Sequence, residues 1–364
     1  MILAFDSDAR QAGRLDIPIA VAILLLFAAT PLPAHHGSAP HFDPDVQVDV
    51  EGVVTELRFV NPHAFVHFDV IDANGESVPW RCELAGATLL RRQGWTPETL
   101  FAGQRIQMVG ALARREANSC AMRTITLEDG SVISSRGLQQ ADLRPVADPA
   151  DVAQRPRYLD NGQPNISGAW VSREPGGSGG ILTNGPAEPT EAGLAAAESF
   201  DVRYDNPVIN CESGNIITDW YRQSHVNDIR QMDDRIIVRH GYLEMERTIF
   251  LNAEHPQDLA PSVTGHSVGA WEDDVLVVDT VGLAERVLIP LRDVMMSDQA
   301  RVVERIHYDP ESRTLVRDYT VEDPLYLAKP YSGRNVSDIA AEPYQPFDCV
   351  NLSGENNRRP EPGE

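Results

Sequence analysis

The chain has 364 residues, 31 basic against 54 acidic side chains, and a formal net charge of −23. So acidic a surface repels the phosphates of nucleic acid and the headgroups of anionic lipid, which excludes both as expected partners. Its 4 cysteines contain no CxxC pair, which argues against a redox or zinc-ribbon role and fits structural disulfides in an oxidising compartment.

The first 34 residues read as a secretory leader. Arg10 and Arg14 precede an apolar run from Ile17 to Ala29 that only Pro18 interrupts. That run is too short to cross a bilayer and suits the hydrophobic region of a signal peptide. Ala34 supplies the small residue before the cut, so the mature protein is expected to begin at His35 and to reside in the periplasm or outside the cell. No membrane span is expected once the leader is removed.

Residues 35–134 are expected to form a small OB-like barrel. Alternation predicts a long strand over Val48–Phe59, with Gly52 marking a bend or bulge. A second strand follows over Ala64–Ile71, and the Asn74-Gly75 turn leads into a third through Trp80 and Cys82. Ala87–Gln93 reads as a short helix ended by Gly94, and Thr96-Pro97-Glu98 as a capped helical turn. Gln104–Leu112 and Met122–Leu127 complete the strands, giving five with a helix between the third and fourth. Polar, proline-containing residues 135–165 read as a linker.

Residues 166–352 are expected to form a larger antiparallel barrel, lipocalin-like, or a sandwich. Gly168-Ala169-Trp170 opens it, and Thr190 caps a helix running to Ser199. Strands are predicted over Asn227–Met232, Arg235–Arg239, Glu244–Leu251, His266–Trp271, Val275–Thr280, Arg301–Tyr308 and Thr314–Val321. Residues 353–364 read as a disordered tail. With two cysteines in each half, the economical pairing is Cys82 with Cys120 and Cys211 with Cys349.

Five of the 10 histidines fall between residues 35 and 67: His35, His36, His41, His63 and His67. A mature start at His35 would offer its α-amine and ring nitrogen as a chelate, and His63 in Asn61-Pro62-His63 could complete a three-nitrogen site. Such a set suits Cu(II), and the affinity order of divalent ions favours copper as the cofactor. On one strand His63 and His67 would share a face with Cα atoms ~13 Å apart, too far for one ion. The alternative is that His35 and His36 belong to a frayed terminus and His63 bonds a backbone carbonyl in its turn.

Ala34-His35-His36, Phe42-Asp43, Gly52-Val53-Val54, Asn61-Pro62-His63 and Leu89-Leu90-Arg91-Arg92-Gln93-Gly94-Trp95 occur in order. This series resembles an uncharacterised family of secreted bacterial domains over about residues 34–134, although Gly37 separates His36 from Ser38 where that family reads His-His-Ser. The resemblance implies a compartment and a fold and carries no known reaction. Ile166 to Trp170, Gly265 to Glu272 and Leu276 to Thr280 are similar to a second class of uncharacterised secreted proteins, again without catalytic residues to carry over.

Within the second half, His225, His240, His266, Trp271, Asp279, Glu244 and Glu246 are candidates for a polar pocket. Glu244 and Glu246 would share one strand face, and a pair such as His266 with Glu246 could act as general base and acid. Neither an HExxH zinc motif nor a Walker loop nor GxGxxG is present. Sequence alone therefore favours an exported binding protein with a copper site at His35 and His63 and a small-molecule pocket in the second barrel. The alternatives are a hydrolase, isomerase or hydratase working through His266 and Glu246, and an envelope structural or adaptor protein.

Overall fold

The computed structural model describes residues 41–134, 145–153, 155–173, 186–202, 204–220, 225–289 and 293–351. The expected leader, His35, His36 and the tail at 353–364 lie outside these residues.

The first half is a sheet built on one long strand. β1 (Phe42–Arg58) pairs with β2 (Phe65–Ile71) along one edge and with β4 (Arg105–Ala113) along the other. β3 (Ser77–Glu83), β5 (Ser119–Leu127) and β6 (Val132–Ser134) complete the order β3-β2-β1-β4-β5-β6, and β3 also pairs in parallel with β5. The expected irregularity in β1 falls between Val54 and Glu56, two residues past Gly52. Gly52 serves a different purpose: a Cβ there would lie 2.6 Å from the Asp69 carbonyl oxygen across the pairing. Alternation turns Val54, Val66, Phe68, Met108 and Ile125 inward, where Leu90, Trp95 and Leu100 close the core. Leu90 comes from helix α1 (Ala87–Arg92), which ends before Gly94 at φ +86°. Thr96-Pro97-Glu98 forms a turn in which Thr96 Oγ1 accepts from the Glu98 backbone N–H at 3.2 Å.

The second half is a closed barrel of nine strands. β7 (Gly168–Ser172), β8 (Val226–Gln231), β9 (Arg235–Arg239) and β10 (Glu246–Leu251) are followed by β11 (His266–Glu272) and β12 (Val275–Val281). A separate ribbon of β13 (Arg286–Ile289) and β14 (Val294–Met296) precedes β15 (Arg301–Asp309), β16 (Thr314–Glu322) and β17 (Tyr331–Ile339). The barrel order is β10-β11-β12-β15-β16-β17-β7-β8-β9. β10 and β11 run parallel, where antiparallel strands alone were expected, because the segment 252–265 crosses over before the chain re-enters the sheet. Leu243 and Glu244 have φ of 57° and 56°, so β10 starts at Glu246 and Glu244 shares no strand face with it. Thr190 caps the helix Glu191–Glu198 as expected, accepting a hydrogen bond from the Gly193 backbone N–H at 3.1 Å.

Inward side chains line the described barrel in layers. Trp170, Ile229, Ile236, Val238, Ile249, Leu276, Val278, Ile306 and Leu315 pack at one end. Leu283, Leu288, Met296, Val302, Tyr319 and Val321 pack at the other. Between them lie Arg247, Glu304 and Arg317, all at most 3% exposed. Arg247 grips Glu304 through two bonds at 2.6 and 2.8 Å, and Arg317 adds a third at 2.5 Å. The two arginines outweigh the cost of burial and hold the Glu304 carboxyl down at about 2.

Both disulfides join the expected partners, Cys82 with Cys120 and Cys211 with Cys349. Cys82 and Cys120 face each other in the β3–β5 register, with Cα atoms 4.5 Å apart. Two disulfides and no free cysteine among the described residues fit an oxidising compartment. Among those residues no helix is long and apolar enough to cross a membrane. Of the stretch read as a linker, Val146 bridges to Ala340, and the Arg155 guanidinium lies over the rings of Trp170 and Tyr308, so its described part packs on the barrel.

Candidate functional site at the Asn61-Pro62-His63 turn

His63 occupies the turn between β1 and β2 and lies outside either strand, since β2 begins at Phe65. The strand-face relation to His67 therefore does not apply; His67 lies within β2 as the register partner of Arg81. The His63 Nδ1 sits 2.7 Å from Oε1 of Glu83, the last residue of β3, and the histidine side chain is 52% exposed. Desolvation pulls the His63 pKa down, but the Glu83 charge, the hydrogen bond to it and a backbone contact with Leu84 prevail, so it is raised. Burial pushes Glu83 up, yet His63, His41 and Arg81 outweigh it and hold the carboxyl below its ordinary range. His41, His63 and Glu83 thus share one electrostatic neighbourhood at the rim of the first sheet.

Asn61 explains why the turn is held so firmly. Its side chain accepts from the Thr88 backbone N–H at 3.1 Å and donates to Thr88 Oγ1 at 2.9 Å and to the Phe347 carbonyl at 2.6 Å. Its own carbonyl accepts from the Val350 N–H at 2.8 Å. Gly86 permits this approach: a Cβ there would fall 2.4 Å from the Pro62 carbonyl oxygen. The segment Phe347–Val350 continues into the Cys211–Cys349 disulfide, and the Phe347 ring packs at 4.8 Å on His225 and 5.0 Å on Tyr242. Glu83 did not stand out in the sequence, and Asn61 did so only as part of the Asn61-Pro62-His63 motif. Glu83 meets His63 only because β3 folds back beside β2, and Asn61 meets Phe347 across 286 positions.

The second-half candidates disperse. His225 belongs to that aromatic cluster. His240 is fully buried, edge-on to Trp220 at 5.6 Å; burial and the charges of Arg247 and Arg317 push its pKa well below the ordinary value. Glu246 faces outward on β10 and bonds Arg239 at 2.7 Å. His266 also faces outward, beside His255 with Nδ1 atoms 2.9 Å apart, and no hydrogen bond or ion pair joins it to Glu246 among the described residues. Asp279 lies on the outer face of β12, held by Arg301 at 2.8 and 3.0 Å. Among the described residues no group of three or more histidine, cysteine or carboxylate side chains is arranged to hold a metal ion.

Residues 23–122 match the model of DUF6152, a family of unknown function. The DUF6152 segment contains Asn61, His63, Glu83 and the first disulfide, and the barrel lies beyond it. No curated protein matches the chain.

Proposed function

We propose that the protein is an exported binding protein that takes up a copper ion at the amino-terminal sheet. His63 would serve as the ligand supplied by the fold, and the α-amine and ring of His35 would complete the set. The observation that carries this reading is the His63–Glu83 pair. A carboxylate on one ring nitrogen orients a histidine and raises its basicity, the usual outer support of a metal ligand. Because Glu83 takes Nδ1, a metal would bind this ring through Nε2.

The topology of the first sheet, with β3 beside β5 and a helix between β3 and β4, supports an OB-like reading of that half. A layered interior makes the second barrel a stable mount better than a lipocalin-like vessel for a small molecule. It likewise offers His266 and Glu246 no shared enclosed pocket, which weighs against the hydrolase, isomerase or hydratase alternative.

The test is intact mass and metal content of the protein exported by its own host. A start at His35 carrying about one copper at this site, lost in His63→Ala while the fold is retained, supports the reading. A start elsewhere, or copper uptake at this site that ignores His63→Ala, overturns it.

A further inference from the structure

The outer face of the barrel carries a second group of metal-binding side chains that the amino-terminal reading does not use. His266 opens β11, and His255 comes from the crossover segment that precedes it. Their Nδ1 atoms are 2.9 Å apart and the rings stand at 70°. Phe250 stacks on His266 at 5.2 Å with an interplanar angle of 15°, which restrains that ring. On the far side of His255, Nε2 lies 3.6 Å from Asp279 Oδ2, and Arg301 in turn clamps Asp279. The Val268↔Asp279 and His266↔Val281 register places His266 and Asp279 on one outer face of the β11–β12 pair.

The contact between the rings requires one Nδ1 to donate and the other to accept across 2.9 Å, so a lone pair is aimed at the neighbouring ring. Asp279, 3.6 Å from His255 Nε2, lies beyond hydrogen-bond distance and contributes only its charge.

We propose that His255 and His266 form a two-nitrogen site for a divalent copper ion, with Asp279 as a nearby negative charge and water or an added ligand in the remaining positions. Binding moves the shared proton from Nδ1 to Nε2 of the ring that carries it and seats the metal beside the two Nδ1 atoms, so no net proton is released. Two imidazole nitrogens beside open positions suit Cu(II) ahead of Zn(II) in the affinity order of divalent ions. The strongly acidic chain also draws cations toward it.

This site is independent of the amino-terminal one, and the test keeps them separate. Cu(II) is titrated into the full mature chain carrying His35→Ala, His36→Ala and His63→Ala, followed by calorimetry and by electron paramagnetic resonance. The expected result is one equivalent with a tetragonal spectrum showing two coupled nitrogens. His255→Ala and His266→Ala should each abolish it, and Zn(II) should bind more weakly than Cu(II). Unchanged circular dichroism and melting would show that the variants fold. No uptake in the triple-variant chain would mean that the histidines are a hydrogen-bonded pair only and would overturn the proposal. Uptake indifferent to both histidine substitutions would overturn it equally.

Discussion

In the barrel, Arg247, Glu304 and Arg317 lie between two apolar clusters, whereas in the first sheet His63 and Glu83 meet at a rim where the histidine is 52% exposed. Both groups pair opposite charges at hydrogen-bond distance. Their surroundings give those pairs different uses. Removing charges from water is costly, and the barrel offsets that cost by bonding Glu304 three times and by supplying Arg317 with Asn335 and the Ile216 carbonyl as well. Such a network is sealed from solvent, with Arg247 Nε its one guanidinium nitrogen that lacks a hydrogen-bond partner among the described residues. The rim pair is also partly desolvated, but the His63 ring stays half exposed and accessible.

The largest effect should come from opening the second disulfide. Its loop spans 138 positions against 38 for the first, and the loop-entropy model assigns them about 5 and about 4 kcal/mol. The double variant Cys211→Ser/Cys349→Ser should therefore unfold in markedly less urea than Cys82→Ser/Cys120→Ser, because it also frees the segment that grips Asn61. Equal midpoints would remove the distinction between the two halves.

Next in size, Glu304→Gln leaves two buried guanidinium groups short of a counter-charge and should cost about 3–5 kcal/mol in denaturant unfolding. Replacing Arg247, Glu304 and Arg317 together with apolar residues of matched volume should recover most of that loss. A triple variant no better than the single one would mean that the charges do more than fill the barrel.

Asn61→Ala removes three side-chain bonds and strands the Thr88 N–H and the Phe347 carbonyl, for a loss of about 1–3 kcal/mol. Faster amide exchange at 347–350 would locate the damage in the clamp. A wild-type exchange pattern would place it elsewhere.

Acid should reveal the barrel in two stages. A buried neutral His240 binds its proton less readily than the unfolded chain, so stability falls as pH drops below the ordinary value of 6.5. Glu304, held at about 2 against 4.5, contributes stability that is complete above pH 4.5 and is lost as pH falls through about 2. Denaturation across that range should show both limbs, and His240→Gln should erase only the first. The smallest expected effect is that of His63→Ala on stability, below about 1 kcal/mol, as for exposed ion pairs generally. A larger loss would make His63 a structural residue first.

Period-two alternation in apolar and polar residues made most strands legible, Arg235–Arg239 to the residue and Val275–Val281 within one. It failed where alternation is short or broken. β13, β14 and β17 went unrecognised, and Glu244 was given a strand position that its left-handed backbone forbids. Candidate site residues were legible one at a time: His63 followed from its turn and His266 from its strand. Their partners were not, because Glu83 and His255 have no sequence relation to them beyond pairing and crossover.

Local pattern by itself determined that this chain would be mainly β and that its two halves would differ, and it offered the cysteine pairing only as the economical choice. The first two depend on alternation and turn residues, which act over short stretches of chain. Only the tertiary structure decided what each charged group became. Whether a carboxylate meets an arginine in the dark of a barrel, as Glu304 does, or a histidine at a wet rim, as Glu83 does, depends on strand order and register. Those are settled by how the whole chain buries its apolar faces.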